Sequence, residues 1–286
     1  MSASPIDLSE DARLGFLAEV IGAIEPHANG MALLLGAMAR DLLLLYAHGI
    51  ETARATEDLD IGIAVENWRQ FEELRTRLID EGGFVAERGN LHRLHYGPWR
   101  IVDLIPFGGV ETGDRSIAWP PEGAQVMNVL GYREAARSAL DVVLPGGTLI
   151  HVVSLPMLAA MKLVAWRDRR DTAPGKDAAD LWLLLTSYPS AGQQERLYDV
   201  RLLDADDYDF AIAGAWLLGI DAHAAMRQDR QALDRLLDIL RPELDLDGPL
   251  RLVADMPRST NADRALRLLG AFHAGLSGEA SPFAGR

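Results

Sequence analysis

The sequence predicts an α/β fold, with α+β character: a mixed sheet with flanking helices, followed by a helical domain. Three observations predict it. Strand-like runs rich in β-branched residues alternate with helical spacings through Phe107. Short strand patterns resume between Val126 and Val153, and from Ser154 onward every periodic segment has helical spacing. The expected division is therefore residues 1–153 and residues 154–286, with a small, polar, mobile tail from Ser277.

Taken in order, Ser9-Glu10-Asp11-Ala12 places capping side chains before an apolar pattern at Leu14, Phe16, Leu17, Val20, Ile21 and Ile24, which predicts a helix ending near Pro26. Met31 to Leu35 is a short apolar run stopped by Gly36, hence a buried strand, with a helix over Ala39 to Ala47 closed by Gly49. Leu59 to Val65 predicts a strand, and Trp68 to Ile79 a helix that stops at Gly82-Gly83. Strands are expected at Phe84 to Glu87, Leu91 to Tyr96 and Arg100 to Pro106, the last two as a hairpin around Gly97-Pro98. Gly108 to Gly123, rich in Gly and Pro, reads as a surface loop. Further strands are expected at Val126 to Val129, Asp141 to Leu144 and Leu149 to Val153. The helical half then reads as Leu155 to Arg167, Lys176 to Leu185, Tyr208 to Leu218, His223 to Leu240 and Asn261 to Ala274.

Composition narrows the chemistry. The 286 residues are 49% hydrophobic and 24% charged, the balance of a folding globular chain. There is no cysteine, which excludes disulfides, thiolate nucleophiles and Cys-ligated zinc and fits a reducing cytoplasm. The first residues, MSASPIDL, lack the pattern of a signal peptide, and Arg40 and Asp41 interrupt the most apolar stretch, so no membrane span is expected. A net charge of -14 repels a phosphate backbone, so a nucleic-acid substrate needs a local basic patch. The densest candidate, Arg167, Arg169, Arg170 and Lys176, is mixed with Asp168, Asp171 and Asp177 and reads by itself as a solvated helix end. His92 and His95, three apart in a strand, fall on opposite faces and read as structural.

The informative constellation is Gly36-Ala37-Met38-Ala39-Arg40-Asp41, then Asp58-Leu59-Asp60, then Asp103 within Ile101 to Ile105. Side chains two apart on a strand share a face, so Asp58 and Asp60 present paired carboxylates, and Asp103 completes the group if its strand lies alongside. Three converging carboxylates are costly without a cation, and hard oxygen ligands select Mg²⁺ or Mn²⁺. A strand that turns at Gly36 into a helix lets backbone N–H groups approach a triphosphate. Either feature alone is a weak signal; their order and spacing together make a candidate phosphoryl-transfer site. Arg40 and Arg93 are open: each can bind phosphate or pair with an acid such as Asp41 or Glu87.

Gly36-Ala37 with Asp58-Leu59-Asp60 resembles the signature of DNA polymerase β-like nucleotidyltransferases. Gly36 to Asp41, Arg54 to Asp60, Val102 to Gly108, Leu155 to Lys162 and Lys176 to Asp180 are together similar to the AbiEii/AbiGii toxin family, over roughly residues 30–185. The sequence departs from the broader signature at Ala37, where Gly or Ser is usual, so no hydroxyl is offered there. The resemblance implies a toxin-type nucleotidyltransferase that uses Mg²⁺ and an NTP, some relatives modifying the 3′ end of tRNA, and a cognate antitoxin encoded nearby. It also implies that Lys162 and Asp177 belong to the active site, Lys162 steadying the triphosphate with Gly36, Ala37 and Arg40. Two alternatives remain at this point: a nucleotide-binding module without catalysis, and a nucleotidyltransferase for a small cationic acceptor, which a net charge of -14 would suit.

Overall fold

The structure is a computed structural model that describes residues 4–28, 30, 32–52, 58–98, 100–198 and 208–280. The chain divides into two compact units, Met1–Ser154 and Leu155–Arg286.

The first unit is built on an eight-stranded mixed sheet. Its strands are β1 (Ile6–Asp7), β2 (Ala32–Leu35), β3 (Leu59–Val65), β4 (Phe84–Ala86), β5 (Arg93–Tyr96), β6 (Arg100–Gly108), β9 (Leu140–Val143) and β10 (Leu149–Val152), in the spatial order β1-β9-β10-β2-β3-β6-β5-β4. β7 (Ser116–Ala118) and β8 (Val126–Asn128) form a separate antiparallel ribbon. Pairing is parallel at β1/β9, β10/β2 and β3/β6 and antiparallel elsewhere in the large sheet.

β3 shows why this register holds. Leu59, Ile61, Ile63 and Val65 are buried while Asp60 and Ala64 are partly exposed, and a slip of one residue would exchange the two sets. The following helix, α3 (Trp68–Asp80), starts where the Asn67 side chain accepts from the Gln70 amide, and it buries Phe71, Leu74 and Leu78 at helical spacing. Each of those three side chains stabilises the unit by about 1.5–3 kcal/mol. α1 (Gly15–Ala28) buries Leu17, Val20, Ile21 and Ile24 in the same way.

The second unit is helical: α5 (Leu155–Arg169), α6 (Pro174–Ser187), the short α7 (Gln194–Leu197), and helices over Phe210–Met226, Arg230–Leu240, Arg251–Asp255 and Ala262–Leu276. Trp166, fully buried, donates its indole N–H to Asp255 at 2.8 Å. Among the described residues, no helix is long and apolar enough to cross a membrane.

The structure departs from the sequence reading in specific places. The segment read as a surface loop contains β7, which is completed only by its pairing with β8. A two-residue β1 and a short helix, α4 (Tyr132–Arg137), carry too little periodicity to be read. The helix predicted from Ala39 begins at Gly36 itself and continues as a π-helical stretch over Leu42–Ala47. The break expected around Gly219 falls instead between Met226 and Arg230. Gly219 serves contact, not termination: a Cβ there would lie 2.3 Å from the Phe272 carbonyl oxygen, and one at Gly275 would lie 2.1 Å from that of Trp216. The start of the expected mobile tail is tied down, with Glu279 donating to the Ala274 carbonyl and accepting from the Trp216 indole. Met31, the Arg54 to Glu57 part of the motif, and residues 281–286 of the tail lie outside the described residues.

Candidate active site

The register places two of the three predicted acids, Asp60 and Asp103, in a single row across the sheet. Leu35 of β2 pairs with Asp60 of β3, Asp60 with Asp103 of β6, and Asp103 with Arg93 of β5. Residues directly opposite on neighbouring strands share a face, about 5 Å apart, so both carboxylates and the guanidinium emerge on one side of the sheet. Asp60 and Asp103 are partly exposed, and Asp58, just ahead of β3, is exposed.

Gly36 fits against this row. Its φ is +66°, a left-handed conformation, and a Cβ placed there would stand 1.9 Å from Asp60 Oδ2. Only glycine meets both conditions without displacing the carboxylate. The helix that begins there, α2 (Gly36–Asp41), has no side-chain cap hydrogen bond at its start. Gly36 and Ala37 are partly exposed, whereas Met38 to Asp41 are buried.

Asp103 is engaged. Arg93 Nε reaches its Oδ1 at 2.8 Å and the second guanidinium nitrogen reaches Oδ2 at 2.8 Å, a two-pronged bridge. That hydrogen bonding raises the Arg93 pKa, and the fields of Asp103, Glu87 and Asp58 add to it against the opposing cost of burial. Among the described residues no three His, Asp or Glu side chains stand close enough together to hold a metal ion as placed. The donor set nevertheless fits a hard divalent cation: the carboxylates share one face, and Gly36 leaves Asp60 a cradle that a larger residue would fill.

Arg40 is buried one turn into the helix that begins at Gly36. It is 3% exposed, and its guanidinium meets Asp41 at 2.6 and 2.8 Å, so a phosphate would have to break a buried ion pair to reach it. In the second unit, Lys162 and Asp177 are brought together at 3.3 Å, both buried. Asp180, one helical turn from Asp177, also pairs with the Lys162 ammonium, and Arg169 bridges Asp177 at 2.8 Å. Sequence reasoning missed Asp180 and Arg169 as members of this cluster; the i, i+3 spacing of Asp177 and Asp180 was the available signal. The basic run beside it is occupied, Arg167 by Asp168 at 2.8 Å and Arg170 by the Trp166 ring at 5.5 Å. His92 precedes β5 and packs on Trp119 with ring centroids 5.1 Å apart, while His95 meets Glu87 at 2.9 Å.

No curated protein matches the chain. Among solved structures, the solution structure of the antibiotic-resistance factor ANT(2'')-Ia is similar to it at 15% identity, with 66% of this chain and 92% of that one covered and a TM-score of 0.38, a likeness too slight to argue from. The family model described as nucleotidyl transferase AbiEii toxin, type IV toxin–antitoxin system, matches residues 27–258. The chain therefore belongs to the AbiEii family of toxin nucleotidyltransferases.

Proposed function

We propose that this nucleotidyltransferase moves a nucleoside monophosphate from an NTP to an acceptor hydroxyl at the Asp60–Asp103 row. The observation that carries the reading is the pairing of those two carboxylates in register, with Gly36 shaped around Asp60 at the start of a helix. The acceptor oxygen forms a bond to the α-phosphorus as the bond from that phosphorus to the bridging oxygen breaks; pyrophosphate leaves and the hydroxyl proton passes to Asp103. N–H groups of Gly36 and Ala37 orient the triphosphate. Asp58, Asp60 and Asp103 are the residues that would hold Mg²⁺ or Mn²⁺, which when bound neutralises charge on the reacting phosphate. Arg40, buried with Asp41, braces the helix that carries Gly36. Lys162 and Asp177 keep the part in the reaction that the family resemblance gives them, and their mutual contact supports a shared role.

For the acceptor, the family supports an RNA end, tRNA included, and a toxin role with a cognate antitoxin. One observation favours a second reading: a net charge of -14 suits a small cationic acceptor better than RNA. Incubation with each α-³²P-labelled NTP, Mg²⁺ and either total RNA or a panel of aminoglycosides separates the two. Label in a tRNA-sized band supports the first, and label on the small molecule the second. Pyrophosphate release with neither, or none at all under any condition, would contradict transfer to these acceptors.

A further inference from the structure

Arg93 was one of two arginines whose role the sequence left open, and the structure gives it a definite position. It stands on β5 directly across from Asp103, with one guanidinium nitrogen on each carboxylate oxygen at 2.8 Å. An arginine fork of this kind takes up the oxygens that a divalent cation would need. The same side chain has a second carboxylate nearby. Glu87 lies across the sheet from Arg93, its backbone N–H donating to the Arg93 carbonyl at 3.1 Å. Glu87, one residue past β4, already meets His95 at 2.9 Å, so Arg93 would join that pair, an exchange that the fixed β5 backbone leaves to a change of side-chain rotamer.

Building on the carboxylate-row reading above, we propose that Arg93 is a positioning residue that holds Asp103 until a divalent cation takes the guanidinium's place. The bridge orients Asp103 toward the row while the cation is absent and opposes loading of the bare ion. Displacement leaves Asp103 beside Asp60 as a ligand and frees Arg93 to meet Glu87. This accounts for two facts together: the acids line up in register, yet no three of the described acidic or histidine side chains stand ready as a metal site.

The guanidinium occupies both carboxylate oxygens at 2.8 Å, so removing it takes away a competing charge at contact distance and should tighten binding of a divalent cation about tenfold or more. The test is Mn²⁺ binding to the full-length chain without nucleotide, read from the electron paramagnetic resonance signal of free Mn²⁺. Arg93→Met is expected to bind Mn²⁺ about tenfold more tightly than the wild-type chain; equal or weaker binding overturns the proposal. If Arg93→Met fails to give wild-type circular dichroism, Arg93→Gln carries the same test, because a neutral amide also removes the competing charge, and an absence of tightening there overturns the proposal. Asp60→Asn separates this proposal from the reading beneath it. Binding lost in Asp60→Asn but unchanged in the Arg93 variants refutes the bridge alone, whereas Mn²⁺ binding that survives Asp60→Asn refutes the carboxylate site itself.

Discussion

Each unit of the chain holds a group of opposed charges, and the two groups are built on opposite principles. In the second unit, Asp177 and Asp180 meet Lys162 and Arg169, two acids to two cations, and the carboxylates and the ammonium are no more than 8% exposed. In the first unit the row carries Asp60 and Asp103 with Arg93 at the surface of a sheet, Asp58 stands exposed just ahead of it, and the bridging Arg93 side chain is 29% exposed. A buried cluster must be neutral within itself, because an uncompensated charge there costs several kcal/mol. An accessible row of acids can take its cation from solution, and can therefore change state when a ligand arrives. The comparison teaches two ways of holding acids, one neutralised within a buried cluster and one left open to a cation from solution, and substitution should separate them.

The largest effect is expected at the row. Asp60→Asn should lower turnover by about 10³-fold, several kcal/mol of transition-state stabilisation, with the melting temperature near that of the wild type. Steady-state kinetics beside a thermal melt checks both halves. In the buried cluster the balance reverses: Lys162→Met leaves Asp177 and Asp180 facing each other without the ammonium and should cost about 3 kcal/mol or more of stability, read by urea unfolding. An unchanged midpoint there would show that the ammonium is not needed for folding. Gly36→Ala comes next. A methyl group at a φ of +66° and 1.9 Å from the Asp60 carboxylate should cost about 2 kcal/mol and impair turnover as well. Arg169→Ala should cost about 1 kcal/mol at most, because its side chain is half exposed and solvent screens the pair.

The smallest effect is a pH dependence in the second unit. Burial lowers the His273 pKa below 6.5, against the opposing field of Glu279, and its Nε2 is buried with no hydrogen-bond partner among the described residues. A depressed folded-state value means that the neutral ring contributes stability above pH 6.5, which is lost as the pH falls through the folded value. Melts between about pH 7.5 and 5.5 should therefore fall more steeply for the wild type than for His273→Leu. Parallel slopes would remove His273 from the account.

How much of this could be read in advance follows from the range of each interaction. Gly36 and Asp58-Leu59-Asp60 were legible because a turn and a strand announce themselves within a few residues. Asp103 was legible as a candidate only, since its strand had to be assumed a neighbour of β3; the parallel register supplies that link. Pairing with an acid was a legible alternative to phosphate for both arginines, and Asp41 does hold Arg40; for Arg93 the sequence offered Glu87, and Asp103 as the acid it holds depends on the antiparallel β5/β6 pairing and was not foreseen. The break expected between Leu218 and His223 failed for a related reason, because the packing of Gly219 as a contact surface depends on a distant helix, the one containing Gly275. β7 was lost because three residues make a strand only with a partner.

The central claim is that the Asp60–Asp103 row, shaped by Gly36, is where nucleotidyl transfer takes place. The most direct test is pyrophosphate release from an NTP with Mg²⁺ and an acceptor, comparing wild type, Asp60→Asn and Asp103→Asn at equal folded fractions. The account predicts release by the wild type and its loss in both variants while their melting curves stay near the wild-type curve. Full activity in either variant would contradict it.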